Sequence, residues 1–252
     1  MSQTNPRRIV IGDIHGHYEG LQHLLEAIAL STDDEIYFLG DLIDRGPDSA
    51  QVVKFVRENQ YPCVMGNHEQ MLLAAISGGE ISEQDLQLWL YSGGDATLES
   101  YGTGGIPPED IEWIANLPGY LDLGNVWLVH AGVNPKLTLV EQGFDEFCWI
   151  REAFHSSTKP YFKDKLIVTG HTITFTFPGV SAGQIVQGKG WLGIETGVYH
   201  HKSGWLTALD MTNALVYQYN IHRRRFRQLD FDRAAILLKP EVAGDRRSRS
   251  RR

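Results

Sequence analysis

The chain has 252 residues, a hydrophobic fraction of 42%, a charged fraction of 21% and a formal net charge of −8. This is the balance of a soluble globular protein with room for one large core, and it excludes a general nucleic-acid-binding surface. No apolar leader opens the sequence and no run approaches the roughly 20 apolar residues that span a bilayer, so a cytoplasmic location without a membrane partner is expected.

Residues 8 to 76 alternate strand and helix signals. The runs Arg8-Ile9-Val10-Ile11, Glu35-Ile36-Tyr37-Phe38-Leu39 and Tyr61-Pro62-Cys63-Val64-Met65 have strand length, and helical periodicity such as Leu21, Leu24, Leu25 and Ile28 follows. This predicts βαβ units and a parallel sheet with right-handed crossovers. Each run leads at once into a polar segment: Gly12-Asp13-Ile14-His15-Gly16, Gly40-Asp41-Leu42-Ile43-Asp44-Arg45-Gly46 and Gly66-Asn67-His68-Glu69. Carboxylates and imidazoles therefore fall where strands end and helices begin, on one edge of that sheet.

From 82 to 117 the pattern is helical, with Leu86, Leu90 and Leu98 predicted on one face and an interruption at Ser92-Gly93-Gly94-Asp95. It reads as a helical insertion beside the cleft. Short β-branched or aromatic runs at 120–123, 126–129, 166–169, 184–187, 191–194, 205–209 and 215–219 predict a second, largely antiparallel sheet packed on the first. Two of these runs lead to a histidine, His130 before Ala131-Gly132 and His171 after Gly170. Cys63 and Cys148 lie among apolar neighbours and are expected as buried free thiols in a reducing compartment. No linker or internal repeat divides the chain, so residues 1–243 are expected to form a single domain. Residues 244–252 are arginine-rich, hold no apolar residue and are expected to be a disordered basic tail; an arm that docks on nucleic acid or an acidic partner is the alternative.

Asp13, His15, Asp41, Asn67, His130 and His171 together offer oxygen and imidazole ligands. Such a mixed set suits Mn²⁺, Fe or Zn²⁺ better than Mg²⁺ or Ca²⁺ alone, and repeated at successive strand ends it builds a two-metal hydrolytic site. A single His or Asp after a strand is commonly a cap or turn residue. The recurrence of the arrangement, with glycine beside each ligand, carries the reading.

On these three motifs and two histidines the chain resembles the PPP family of metallophosphoesterases, whose signature is GDxHG, GDxVDRG and GNHE, from about Ile9 to about Leu209, with Ile43 for the usual Val. The resemblance implies an α/β fold, in part α+β: a calcineurin-like β-sandwich of two mixed sheets flanked by helices. It implies two divalent metals, one held by Asp13, His15 and Asp41 and the other by Asp41, Asn67, His130 and His171. A water shared by them would attack phosphorus as hydroxide. By the same resemblance His68 protonates the leaving oxygen, Asp44 holds and orients that imidazolium, and Arg45 clamps the phosphoryl group. Arg151, in Phe147-Cys148-Trp149-Ile150-Arg151-Glu152, resembles the Trp-x-Arg element that supplies a second clamp in bacterial members; a surface salt bridge is its alternative role. Tyr91-Ser92-Gly93-Gly94-Asp95-Ala96-Thr97 and Gly193-Ile194-Glu195-Thr196-Gly197 resemble further bacterial features, the latter with Glu195 for the usual Asp, which should alter the loop contact there.

The function so implied is metal-dependent phosphomonoester hydrolysis without a covalent phosphoenzyme. The bacterial branch includes protein Ser/Thr phosphatases, some acting on Tyr, and symmetrical diadenosine tetraphosphate hydrolases. No adenine-stacking element is identifiable, which favours phosphoserine and phosphothreonine proteins as substrates, with symmetrical bis(5'-nucleosyl)-tetraphosphate hydrolysis as the alternative. A non-catalytic partner- or RNA-binding module using the arginine tail is the reading from another class. The complete ligand set, with His68 and Asp44 retained, argues against it.

Overall fold

The protein is described by a computed structural model over residues 6–76 and 82–238; the predicted basic tail at 244–252 lies outside the described residues. In chain order the strands are β1 (Arg8–Ile11), β2 (Glu35–Phe38), β3 (Tyr120–Asp122), β4 (Val126–Val129), β5 (Leu166–Thr169), β6 (Ile185–Gln187), β7 (Trp191–Gly193), β8 (Trp205–Asp210), β9 (Leu215–Asn220), β10 (Arg225–Asp230) and β11 (Ala235–Leu237). Among the described residues they form a five-stranded sheet, β10-β9-β8-β1-β2, and a six-stranded sheet, β11-β6-β7-β5-β4-β3. Both are mixed. Only β1 and β2 pair in parallel in the first, while β4, β5 and β7 run parallel in the second.

Alternation along the strands builds the layers, since successive side chains leave opposite faces of a sheet. Val10, Leu39 and Leu209 from the first sheet meet Leu128, Val168 and Leu192 from the second in one buried cluster. Their neighbours Ile9, Ile11, Trp127 and Ile167 belong to a separate cluster with helical side chains such as Leu21, Leu24 and Val53. The helices that matter for the site are α1 (Tyr18–Ile28), α2 (Ser49–Glu58), α3 (Asn67–Ile76), α4 (Glu83–Trp89), α5 (Asp95–Tyr101), α6 (Pro108–Ala115) and α7 (Phe144–Trp149). In α1 the expected apolar stripe is the buried one: Leu21, Leu24, Leu25 and Ile28. Cys63 and Cys148 are buried and free. Among the described residues no helix is long and apolar enough to cross a membrane.

Three expectations are corrected. The run from Tyr61 to Met65 is no full strand; it makes one isolated parallel bridge, Cys63 opposite Phe38, because Pro62 has no N–H to donate and Met65 N–H turns instead to Pro118 O. The runs at 205–209 and 215–219 belong to the first sheet, where β8 pairs antiparallel with β1, Val10 opposite Leu209. What remains in the second sheet is therefore more parallel than antiparallel. The insertion is helical at α4, α5 and α6, but Leu98 is exposed, and the buried residues of α4 and α5 are Trp89 and Thr97. A widened turn at Leu90–Gly94, in which Gly93 has φ 105°, rotates the face between α4 and α5.

The start of β1 is fixed by an ion pair. Arg7 Nη2 and Asp34 Oδ2 lie 2.5 Å apart, and Asp34 also accepts from Ser31 N–H, while Arg7 reaches the carbonyls of Ile28 and Ala29 at the end of α1. The side chain of Asp34 is 2% exposed, and its bonds to Arg7 hold the carboxyl well below the usual range. A depressed folded value stabilises the fold above the ordinary carboxylate pKa of about 4 and loses that stability as pH falls through the folded value. Asp34→Asn is expected to cost about 1–3 kcal/mol at neutral pH. The gap to wild type should narrow below about pH 4, as urea unfolding at stepped pH would measure.

Candidate active site

The C-terminal ends of β1, β2, β4 and β5 converge, and each delivers a ligand-type side chain. Asp13 and His15 follow β1, Asp41 follows β2, His130 follows β4 and His171 follows β5, all buried; Asn67 and His68 open α3 beside them. Among the described residues, two groups of side chains could each hold a metal ion: His15, Asp41 and His68, and Asp41, His130 and His171. Asp41 is common to both. Its Oδ2 lies 3.6 Å from His15 Nε2 and its Oδ1 3.3 Å from His130 Nε2.

Ring orientation is set from behind. His15 Nδ1 donates to Ile43 O at 3.0 Å and His130 Nδ1 donates to Leu39 O at 2.6 Å, so each Nε2 faces the carboxylates. Arg45 Nη1 donates to His15 Nε2 at 2.8 Å, which marks that nitrogen as the one with the free electron pair. Asn67 Oδ1 takes bonds from both His130 Nε2, at 3.0 Å, and His171 Nδ1, at 2.7 Å. His171 Nε2 is buried without a partner. Asp13 stands slightly apart, its carboxylate accepting the His171 N–H at 3.0 Å, and Gly170 makes room for it, since a Cβ there would collide with Asp13 Oδ1.

Electrostatics favour a cation. Burial raises Asp13 well above the usual range, and the negative charges of Glu195 and Asp41 raise it further. Burial also acts to raise Asp41, but His130, His68 and His15 around it hold it well below that range. The Asp41 charge, working against burial, lifts His130 to about 9. His15 and His171 are both lowered by burial, aided by Arg45 and by His130 respectively, which keeps them in the neutral form a metal requires. Buried carboxylates with the neutral imidazole of His15 on one side of Asp41 and that of His171 on the other fit a divalent cation on each side.

His68 meets the expected partner. Its Nδ1 lies 2.5 Å from Asp44 Oδ2. It also falls within one of the two metal-type groups, because α3 begins immediately at the cluster and His68 N–H bonds Asp41 Oδ1 at 3.0 Å. Its pairing with Asp44, rather than distance, sets it apart from His15, His130 and His171. Arg45 and Arg151 line one cavity of about 160 Å³ with Asp41, Asn67, His68, His171 and Tyr199. Arg151 Nη1 is anchored by Thr172 Oγ1 at 3.0 Å.

Several contributors were not singled out from the sequence. Glu69 is buried and accepts N–H bonds from Asp41, Leu42 and Gly66, at 2.9, 2.8 and 3.0 Å, which clips two ligand loops together; burial and Asp41 push its carboxyl up to about 7. Its place in the Gly-Asn-His-Glu motif was the available signal. Tyr199 stacks beneath Arg45 at 4.0 Å and meets the His15 ring edge-on at 4.8 Å. Trp89 and Thr97 reach Asp44 from the insertion.

The family profile for calcineurin-like phosphoesterases matches residues 6–202. The symmetrical bis(5'-nucleosyl)-tetraphosphatase of Coxiella burnetii is 35% identical over 136 residues, which cover 52% of this chain and 44% of that protein. Serine/threonine-protein phosphatase 2 of Escherichia coli is 41% identical over 87 residues, 34% of this chain and 38% of that protein. The match thus spans less than half the length of these curated relatives. A crystal structure provisionally assigned as a diadenosine tetraphosphatase superposes with a TM-score of 0.60 at 21% identity, over 91% of this chain and 95% of that one. A protein serine/threonine phosphatase from Saccharomyces cerevisiae does so at 0.53 and 16%, over 91% and 81%. At those identities the likeness concerns the fold alone. With strand order, ligand placement and family profile in agreement, the chain belongs to the calcineurin-like phosphoesterase family.

Proposed function

We propose that the protein hydrolyses phosphate monoesters with two divalent metal ions, and that phosphoserine and phosphothreonine proteins are its main substrates, with phosphotyrosine within reach. The observation that carries this reading is the carboxylate of Asp41, common to two metal-type groups, at the floor of a cavity also lined by His68, Arg45 and Arg151. Asp13, His15 and Asp41 would hold one ion and Asp41, Asn67, His130 and His171 the other. The donor set suits Mn²⁺, with Fe or Zn²⁺ as alternatives. Bound there, the ions supply Lewis-acid charge and lower the pKa of a water enough for it to attack phosphorus near neutral pH.

The chain's own groups do the rest. Arg45 and Arg151 grip the phosphoryl oxygens and balance charge that grows on them in the transition state. His68 gives a proton to the leaving oxygen while Asp44 holds its Nδ1. We place this activity in one cytoplasmic domain of residues 1–243, with the insertion at about 82–117 as part of it. Symmetrical cleavage of dinucleoside tetraphosphates is the second reading, favoured by the likeness to the Coxiella burnetii protein. Phosphopeptide and diadenosine tetraphosphate assayed in parallel separate the two.

Chelation followed by desalting is expected to abolish turnover of 4-nitrophenyl phosphate, and Mn²⁺ should restore it better than Mg²⁺ or Ca²⁺. Full activity in the stripped protein, checked by elemental analysis, would sink the two-metal reading.

His68→Asn should lower kcat by about 10²–10⁴ and leave both metals bound, the size expected for loss of a general acid. Asp41→Asn should lose metal and rate together. Metal content per chain, measured on the same samples as kcat, distinguishes ligand from proton donor.

Arg45→Ala and Arg151→Ala should each reduce kcat/KM on an aryl phosphate by about 10²–10³, with melting temperature little changed. Wild-type kinetics in Arg151→Ala would return that residue to a structural role.

A further inference from the structure

The helical insertion reaches the chemistry as well as the cleft wall. Trp89, Gly93 and Thr97 recur every four residues and all face the loop after β2. Trp89 Nε1 donates to the Asp44 carboxylate, 3.0 Å from either oxygen. Thr97 Oγ1 donates to Asp44 Oδ1 at 2.6 Å and accepts the Asp44 N–H at 2.9 Å. Gly93 O accepts the Arg45 N–H at 3.0 Å, and a Cβ on Gly93 would lie only 2.7 Å from Arg45 Cγ. With His68 Nδ1 on Oδ2, three side chains bind this carboxylate, and they and Asp44 are all buried.

The terminal torsion of an aspartate is soft, so one hydrogen bond to a histidine does not by itself fix the carboxylate plane. Donors on both oxygens do. A fixed carboxylate in turn fixes the imidazole it holds, since a hydrogen bond weakens steeply as its angle departs from linear.

We propose that Trp89 and Thr97 are positioning residues for leaving-group protonation: by binding the Asp44 carboxylate from the insertion, they hold the His68 ring so that its other nitrogen meets the leaving oxygen. The insertion is thereby part of the catalytic device, and its Trp-x3-Gly-x3-Thr spacing is the sequence form of that role. The inference rests on His68 as the proton donor.

Proton donation matters more the more basic the leaving group. The test compares kcat and KM for 4-nitrophenyl phosphate and phenyl phosphate in Mn²⁺-loaded wild type, His68→Asn, Trp89→Phe, Thr97→Val and Thr97→Ser, with metal content measured in each. Trp89→Phe deletes the N–H donor and keeps the ring bulk; Thr97→Val deletes the hydroxyl and keeps the shape. Both are expected to lower kcat on phenyl phosphate about tenfold more than on 4-nitrophenyl phosphate, in the direction of His68→Asn, with KM and metal content unchanged. Thr97→Ser, which retains the hydroxyl, should keep the wild-type ratio.

An equal loss on both substrates, or a loss of metal, in Trp89→Phe and Thr97→Val would overturn the proposal while a selective loss in His68→Asn left the general acid standing. No selectivity in His68→Asn would instead remove the proton donor on which it rests. The two variants delete independent donors, so one that fails to fold leaves the other to decide. Failure of both to fold would make the pair structural and overturn the proposal.

Discussion

Asp41 Oδ1 faces His130, which follows a strand of the six-stranded sheet, while Oδ2 faces His15, which follows a strand of the five-stranded one. A carboxylate that serves both layers must sit at the seam between them, out of water and within reach of two imidazoles at once. The backbone bends to put it there. Asp41 has φ 48°, and His15, Asp44, Arg45 and His171 also lie in the left-handed region, at 47°, 74°, 71° and 61°. Non-glycine residues held there cost of order 1–3 kcal/mol each. The surrounding structure must over-determine them. Glu69 does part of this, gathering the N–H groups of Asp41, Leu42 and Gly66 on one buried carboxylate, and such charge-assisted bonds are worth about 1.5–3 kcal/mol.

The sandwich explains why strain of this kind is affordable at this end of the molecule. β1 and β2 run parallel, as do β4 and β5, so four C-terminal ends bring their loops to one place without long excursions. The strands themselves are buried on both faces in β4 and nearly so in β1, which leaves the loops as the part of each unit free to adopt unusual geometry. Glycine supplies the clearance where two loops cross. A Cβ on Gly66 would collide with the Asp41 carboxylate, so the turn that presents Asn67 can approach Asp41 only without a side chain.

The convergence of these side chains was legible because each sits at a short, fixed distance from an apolar run; Asp13 and Asp41 need only a strand and a turn to be placed. The sandwich was legible as two blocks of strands. Its pairing was not: β8 joins β1 across almost the whole chain length, and nothing local to Trp205–Asp210 says which neighbour it takes. The insertion failed differently. Leucine periodicity pointed to Leu98, whereas the buried residue one position earlier is Thr97, a polar side chain that an apolar count cannot score. Its burial is justified by the Asp44 carboxylate, which belongs to a segment some fifty residues away. Tyr199 escaped for the same reason, since its significance lies in Arg45 and His15.

Glu195 shows how far one departure from the family pattern propagates. The longer side chain folds back and Oε1 accepts the N–H of Gly197 at 2.7 Å, so it closes its own loop. Burial, with Asp41 adding to it, pushes its carboxyl up to about 8. Burial is the larger cause that raises the Asp13 carboxyl, and Glu195 lies close enough for its negative charge to raise it further. The loop is pinned independently on its far side, where Thr196 Oγ1 donates to Trp205 O at 2.7 Å and Glu195 O accepts Thr174 N–H at 2.8 Å. Tyr199 leaves that closed turn to stack beneath Arg45. The extra methylene of Glu195 is thus absorbed inside the loop, and the Tyr199 platform under Arg45 keeps its footing on β8.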